Sequence, residues 1–315
     1  MSLGISYIIV NFNTGRLLEQ CVRSLLEFEN YTDIEIIVID NASSDESKGI
    51  IERLSKEFKC VKSFYLDYRV SFSEANNIGI DNSNGEYIVI LNPDIIWREA
   101  IVEKLVNKLQ TSENIVAISP LLIGEDGKFQ SSYFQKYPSV LQFLLFYSIF
   151  SKFFNRSFWL LNRYLQNQEI ENFPDEVVIV EQLPCAFILM RKETFLKVGK
   201  LDPNYKLFFE DVDLSYRINK VARLAVYTGS KVIHLGGASM SGYNNYWLYG
   251  RFLLSMIYFF SKNYTRTRTL ALKILIVINS SLILLVETFK RIVGKQNEYR
   301  FKKHKYLLSE LRKGF

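Results

Sequence analysis

A few polar side chains break an otherwise apolar sequence, and their types suit cation binding and proton transfer. The run YIVIL (Tyr87–Leu91) stops at Asn92-Pro93-Asp94, so a carboxylate follows a proline where a core strand would end. Asp94 there either marks a turn or holds a ligand. A lone carboxylate needs company to hold a divalent cation. The chain has two histidines: His304 lies in a basic tail where no specific role is expected, and His234 in KVIHLGG is the best-placed nitrogen, although a histidine after a strand is often structural. LFFEDVDLSYR packs Glu210, Asp211 and Asp213 into what reads as the first turn of a helix. Acidic residues there stabilise the helix by about 0.3–1 kcal/mol through its dipole. An ionised Asp behind two Phe also suits a general base, worth on the order of 10²–10⁴ in rate. The dipole favours the ionised form and so weakens the base, which would make proton transfer late. Cap and base both stand on the sequence alone.

The elements that must position these residues alternate in period. Ser6–Val10, Ile34–Ile39, Tyr87–Leu91 and Ile115–Ser119 are continuous β-branched runs, as expected of strands covered on both faces. Between them Leu17, Cys21 and Leu25 step by four, as do Ile50, Leu54 and Phe58, then Ile101, Leu105 and Leu109, which predicts helices. This order predicts an α/β fold with a mostly parallel central sheet flanked by helices. Strand-like runs resume at Val177–Glu181 and Cys185–Met190, and a helix from Glu210 carries Leu214, Ile218 and Val221 on one face. The first three strands end in Asn11 and Asn13, Asp40 and Asn41, and Asn92 and Asp94. Ligands of open parallel sheets bind outside the carboxyl ends of the strands. Asn and Asp also make good turns, but three such ends together favour a site.

The 315 residues are 48% hydrophobic and 23% charged, a foldable globular composition that is unusually rich in Phe and Tyr. Three scattered cysteines offer neither a disulfide framework nor a CxxC metal site, which favours a reducing compartment. MSLGISYIIV lacks a basic n-region and a cleavage site, so no signal peptide is expected. VNFNTGRLL has a single Gly, which argues against a dinucleotide-dependent oxidoreductase and a sugar nucleotidyltransferase, both of which want a Gly-rich loop there. Charge is unevenly spread: residues 262–315 carry thirteen Lys/Arg against Glu287, Glu298 and Glu310, a net +10, which leaves −4 for residues 1–261. A basic tail implies an anionic partner.

Taken in order, these segments resemble the glycosyltransferase family 2 enzymes, inverting transferases of the GT-A fold, from about Ser6 to Ser239. The similar segments are SYIIVNFN, IEIIVIDNASSDES, SFSEANNIGIDNSNGEYIVILNPD, GKLDPNYKLFFEDVDLSYR and VIHLGG. The resemblance implies transfer of a sugar from a nucleoside diphosphate donor. It implies that Asp40 bonds the pyrimidine edge, with Val10, Asn11, Asn13, Asn76 and Asn92 also on the nucleotide. Asp94 would bind Mg²⁺ or Mn²⁺ on the diphosphate, with His234 as second ligand. Asp211 would deprotonate the acceptor hydroxyl and Glu210 would shape the acceptor site. Two positions depart from the family pattern: Asn92 stands for the first Asp of Asp-x-Asp, and Asn76 for a common Arg. LNPD and ANNIG look most like rhamnosyltransferase-type members, which implies a dTDP-rhamnose-like or UDP-sugar donor and a role in cell-surface polysaccharide synthesis.

The expected division is a GT-A domain over residues 1–240, with a nucleotide half to about 120 and an acceptor half after it, and a basic helical extension over 241–315. Residues 130–165 are dense in Phe, Leu and Tyr but too interrupted to span a bilayer, so they suit a core insertion or an interfacial surface. Leu270–Phe289 is the strongest membrane candidate, although its charge-free run Ile274–Val286 is shorter than the ~20 residues that span. Arg266, Lys273, Ser280 and Glu287 recur every seven residues as a polar stripe, which suits a helix lying in the interface or packed on protein. The flanking cations would add about 1 kcal/mol each at an anionic leaflet. The expectation is peripheral attachment to the cytoplasmic face of the cell membrane with a lipid-linked saccharide acceptor, and no nucleic-acid partner. The competing reading is a non-catalytic membrane-associated scaffold on the same fold.

Overall fold

The computed structural model describes residues 4–29, 33–151, 170, 175–237 and 244–313. The chain divides into two compact units. The first comprises residues 1–137, 165–204 and 210–241; the second comprises 138–164, 205–209 and 242–315. The sequence reading had placed 138–164 and 205–209 with the first.

The first unit is built on one mixed sheet. β1 (Ile5–Asn11), β2 (Ile34–Asp40), β3 (Val61–Tyr65) and β4 (Tyr87–Leu91) form its parallel half in the order β3-β2-β1-β4. β1 is buried throughout, as its unbroken apolar run requires. Beyond β4 the sheet continues through β8 (Phe187–Arg191), β6 (Ile115–Ile123), β9 (Arg223–His234) and the two-residue β5 (Ile95–Ile96), while β7 (Val177–Val180) pairs with β9. There β8 runs antiparallel to β4 and β6, and β9 runs parallel to β6, so the parallel character belongs to the first four strands. β6 and β9 shift register after Pro120, where the ladder lacks an N–H donor.

The helices α1 (Gly15–Phe28), α2 (Ser47–Glu57) and α4 (Val102–Thr111) bury the faces stepped by three and four. A further helix, α3 (Phe72–Asp81), starts at Ser71, whose hydroxyl accepts from Glu74 N at 3.1 Å. It lies on β1 and β2, and a Cβ at Gly79 would collide with Ile8, so only glycine permits this approach. The buried Glu29 just past α1 fastens the start of α4: its Oε1 accepts from Trp97 Nε1 at 3.1 Å, Ile101 N at 2.9 Å and Val102 N at 3.1 Å. α6 (Lys192–Val198) follows β8, and α7 (Glu210–Ile218) precedes β9; α5, which belongs to the second unit, is described with it below. Val221, expected on the buried face of α7, lies past its end and is exposed, because the helix stops at Ile218.

In the second unit, α5 (Val140–Gln142) runs into a π-helical turn at Phe143–Tyr147, and the rest of the aromatic segment, 152–169, lies outside the described residues. Three long helices follow: α8 (Asn245–Asn263), α9 (Arg266–Ile292) and α10 (Glu298–Lys313). Phe208 and Phe209 both adopt left-handed backbone, φ 65° and 71°. That costs roughly 1–2 kcal/mol per residue, offset here by ring packing of both on Phe252, at 5.9 and 5.3 Å.

The stripe expected on α9 faces inward only in its second half, since Arg266 is exposed and Lys273 half-buried. Ser280 and Glu287 are buried, whereas Leu270, Ile274, Val277, Ile278, Leu282, Leu285 and Phe289 are exposed. Glu287 accepts from Asn297 N at 2.8 Å and pairs with Lys290 at 3.3 Å and Arg300 at 3.4 Å. His304 has a structural role that the sequence did not suggest: it is buried, with Nδ1 3.1 Å from Ser280 Oγ.

Candidate active site

The ends of β1 and β2 are knitted together, and β4 ends beside β1 in the sheet. Asn11 donates through Nδ2 to Asp40 Oδ1 at 2.8 Å and to Ser43 Oγ at 3.1 Å, and its Oδ1 accepts from Thr14 Oγ1 at 2.9 Å. Ser43 gives Asp40 two more bonds, Oγ to Oδ1 at 2.6 Å and backbone N to Oδ2 at 3.1 Å. Asp40 is therefore rigid and buried, and Oδ2 keeps acceptor capacity for an incoming donor. Asn13, at φ 53°, closes the ring from outside: its N donates to Ser43 Oγ at 3.0 Å and its Oδ1 accepts from Ser44 N at 2.8 Å. Next to it Arg69 stacks on Phe12, 3.8 Å from the ring centre. Asn41 serves the same loop, exchanging bonds of 2.9 and 3.1 Å with the backbone of Val70.

Two expected nucleotide residues do not reach the rim. Val10 is buried in the β1 ladder opposite Ile39. Asn76 is wholly enclosed in α3, where its amide donates back to Phe72 O at 2.9 Å; a helix interior next to Gly79 leaves that side chain no path outward. Asn92 is half-buried, and its backbone N bonds to Ala186 O at 3.0 Å.

Asp94 and His234 come together. β5 pairs antiparallel with the end of β9, and Leu235 N donates to Asp94 O at 3.0 Å. This register sets His234 Nε2 3.4 Å from Asp94 Oδ1, with both side chains buried. Asp94 Oδ1 has no hydrogen-bond partner. The imidazole is fixed from behind by Gln130, a residue the sequence reading did not single out. Gln130 Nε2 donates to His234 O at 2.8 Å, and its Oε1 lies 2.8 Å from His234 Nδ1. A backbone carbonyl only accepts, so the amide nitrogen must face it and the amide oxygen must face the ring. Nδ1 therefore carries the proton, and in the neutral ring Nε2 presents its lone pair to Asp94. Two unpaired lone-pair atoms about 3 Å apart are the spacing of neighbouring ligands on one small cation, whose bonds are about 2.0–2.2 Å. Among the described residues no group of three or more His, Cys, Asp or Glu side chains could hold a metal. Further ligands would have to come from substrate and water.

The three carboxylates of α7 have three different environments. Asp213 is fully buried and pairs with Arg217 at 2.9 Å. Arg217 in turn holds the backbone after α6, bonding to Val198 O, Gly199 O and Lys200 O. That pair is structural. Glu210 is buried with Oε2 unpartnered. Asp211 is half-buried, accepts from Val212 N at 2.8 Å and takes a further bond from the backbone of Cys185. Burial pushes both carboxyls up, Glu210 with added repulsion from Asp211. This corrects the dipole expectation: desolvation outweighs the helix terminus, so Asp211 is a stronger base than an ordinary carboxylate. It also keeps the more open face of the two, as a group that must reach a substrate requires.

Tyr133 stands beside the pair: its ring meets His234 edge-on at 4.9 Å, and burial, followed by the charges of Asp94 and Asp211, pushes its hydroxyl up in pKa. Gln130 and Tyr133 lie in none of the segments that carry the family resemblance, whereas Ser43 lies within IEIIVIDNASSDES, three residues after Asp40.

A parallel β3-β2-β1-β4 half-sheet continued by β8, β6 and β9, with the Asn11–Asp40–Ser43 cluster at its carboxyl ends and a carboxylate–imidazole pair where β5 meets β9, is the architecture of the GT-A fold. Comparison with known proteins agrees. The chain belongs to glycosyl transferase family 2, whose model matches residues 6–180. Glycosyltransferase GlyG of Streptococcus pneumoniae is 33% identical over 118 residues; the match covers 38% of this chain and 39% of that protein, so little more than a third of that relative is spanned. The N-acetylglucosaminyl-diphospho-decaprenol L-rhamnosyltransferase of Mycobacterium tuberculosis is 23% identical over 239 residues, 72% of this chain and 74% of that one. The mannosyltransferase PcManGT of Pyrobaculum calidifontis, solved with GDP-Man and Mn²⁺, shares the fold with a TM-score of 0.57 at 14% identity, covering 98% of this chain and 86% of that one.

Proposed function

We propose that this protein is an inverting glycosyltransferase that moves a sugar from a nucleoside diphosphate donor, dTDP-rhamnose-like or UDP-linked, to a hydroxyl of a lipid-linked saccharide. The observation that carries it is the Asp94–His234 pair: two lone-pair atoms 3.4 Å apart, with the imidazole tautomer set by Gln130. On this reading Asp40, held by Asn11 and Ser43, accepts from the base, with Asn13 and Asn92 beside the nucleotide. Asp94 and His234 hold Mg²⁺ or Mn²⁺ on the diphosphate. The cation supplies neutralisation of the charge that grows on the leaving diphosphate, worth several kcal/mol. Asp211 takes the proton of the acceptor hydroxyl as that oxygen attacks the anomeric carbon from the face opposite the diphosphate. Glu210, kept protonated by burial, offers the acceptor a hydrogen-bond donor from its unpartnered oxygen. The donor and acceptor classes are supported by the diphospho-decaprenol-linked acceptor in the name of the mycobacterial relative.

Attachment to an anionic membrane face is part of the same reading. It is supported by α9, 27 residues long, which buries Leu272, Ile276 and Ile283 and exposes Leu270, Ile274, Val277, Ile278, Leu282, Leu285 and Phe289. A screen of nucleotide sugars for metal-dependent hydrolysis and transfer, run on wild type and Asp211→Asn, tests the proposal. Wild type should turn over one donor class, and the variant should lose about 10²–10⁴ in transfer rate while still binding the nucleoside diphosphate. Transfer at near wild-type rate by the variant sinks the base assignment. Absence of any metal-dependent nucleotide binding returns the protein to the scaffold reading.

A further inference from the structure

The helical unit contains a cavity of about 400 Å³ whose lining includes none of the residues assigned to the transfer reaction. Its polar lining is cationic: Arg300 and Lys303 with Ser148, Ser151 and Asn297, and no carboxylate. Glu287, the nearest compensating charge, lies outside the lining and is shared among Asn297 N, Lys290 and Arg300. Lys303 has no carboxylate within ion-pair distance among the described residues. Its ammonium lies over the Tyr249 ring at 4.0 Å, an attraction that leaves the charge in place. Burial and the neighbouring Arg300 pull the Lys303 pKa down. His304, in the same wall, is held neutral by burial and by Lys303 and Arg300, its pKa lowered to about 3. The fold has therefore gathered two cations beside hydroxyl and amide donors, with Arg300 sharing Glu287 and the partly desolvated Lys303 left without a carboxylate. Such a set costs stability unless an anion joins it. The remaining walls, Phe146, Tyr147 and Ile283, are apolar, so a ligand with an anionic head and an apolar neighbour suits the space.

We propose that this cavity is a phosphate-binding site, taking either the head group of an anionic lipid or a free organic phosphate. It is independent of donor and acceptor turnover, so it stands or falls apart from the transfer reaction. The test uses the whole chain as wild type, Lys303→Gln and Lys302→Gln. Lys302 is exposed on the same helix and pairs with Glu298 at 3.2 Å, so its replacement removes equal charge outside the cavity. Inorganic phosphate is titrated calorimetrically with EDTA present, which silences any divalent-cation site. In a second arm, vesicles of phosphatidylglycerol are compared with phosphatidylcholine by co-sedimentation. Lys303→Gln should weaken binding about tenfold, the loss of one charge-assisted bond, and Lys302→Gln should leave it near wild type. A selective loss on phosphatidylglycerol assigns a lipid head group; one confined to inorganic phosphate assigns a free phosphate compound. Equal losses in the two variants, or none in either arm, overturn the site. Thermal melts give an independent reading: phosphate should raise the Tm of wild type and Lys302→Gln alike and that of Lys303→Gln by less, whatever the variant's own Tm.

Discussion

Replacing Gln130 by Met isolates one link of the proposed metal site, because both side-chain hydrogen bonds of Gln130 go to His234. The variant keeps the volume and deletes two buried bonds of 2.8 Å, one to His234 Nδ1 and one to the His234 carbonyl. Loss of the first frees the imidazole to flip or to move its proton to Nε2, where it would face Asp94 and block a cation. Outer-shell partners of this kind are worth about 10–100-fold in metal affinity, or about 1.4–2.7 kcal/mol. Loss of the second leaves a backbone carbonyl without its donor, costing about 1–3 kcal/mol of stability. Mn²⁺ binding followed by electron paramagnetic resonance, with nucleoside diphosphate present, should show the weaker site directly. The metal concentration giving half-maximal transfer should rise by the same factor, while kcat at saturating Mn²⁺ stays near wild type. Gln130→Glu, which keeps an acceptor for Nδ1–H, should recover much of the affinity. If Gln130→Met saturates at the wild-type Mn²⁺ concentration, or loses activity equally at every concentration, Gln130 does not work through the imidazole.

Other substitutions separate the roles of neighbouring groups. Glu210→Gln should be more stable than wild type at neutral pH: a carboxyl whose pKa is raised on folding binds more protons folded than unfolded, so wild-type stability falls as pH climbs above the ordinary carboxylate range. Urea melts at acid and neutral pH read this, and an unchanged difference between the two proteins would refute it. Asp213→Ala should cost about 3–5 kcal/mol, since it strands the partly buried Arg217; a small loss by denaturant titration would mean that the α6 carbonyls alone satisfy the guanidinium. Replacing Ile278 and Leu282 on the exposed face of α9 by Asp should abolish co-sedimentation with anionic vesicles while leaving the melt unchanged. Retained binding would place the membrane contact elsewhere.

What the sequence could reveal tracks how local each signal is. Tyr87–Leu91 is readable because an unbroken β-branched run buried on both faces has few other structures to adopt. β9 is readable only at its end, as the short strand before His234, because Thr228-Gly229-Ser230 reads as a turn; the strand continues through it where β6 shifts register after Pro120. α3 is missed for a similar reason: Asn76, Asn77 and Gly79 are poor helix formers, and the helix depends on the Ser71 cap and on Gly79 against Ile8. In the tail the seven-residue stripe is legible but its direction is not. Whether Ser280 and Glu287 face water or protein depends on His304, Asn297 and Arg300, which are contacts across helices. The three α7 carboxylates look alike in sequence. Only Arg217, four residues after Asp213, hinted that one of them was already committed.

Asn92 bears on how the proposed metal would be held. With Asn in place of the first Asp, the protein offers a single carboxylate charge, Asp94, and one neutral nitrogen, His234. Two ligands with one negative charge fall well short of a closed site for Mg²⁺ or Mn²⁺, which take about six ligands. A diphosphate brings the missing charge and oxygens itself. On the proposed reading, Asn92 would make the site one that receives a cation with the donor rather than one that stores it. Rigidity then matters more than ligand count. The features that fix Asp94 and His234, the β5–β9 register, the Leu235–Asp94 bond and the Gln130 clamp, are all backbone-anchored. A two-ligand site that is already in place before the donor arrives loses little further entropy on closing, which is how so few protein ligands can suffice.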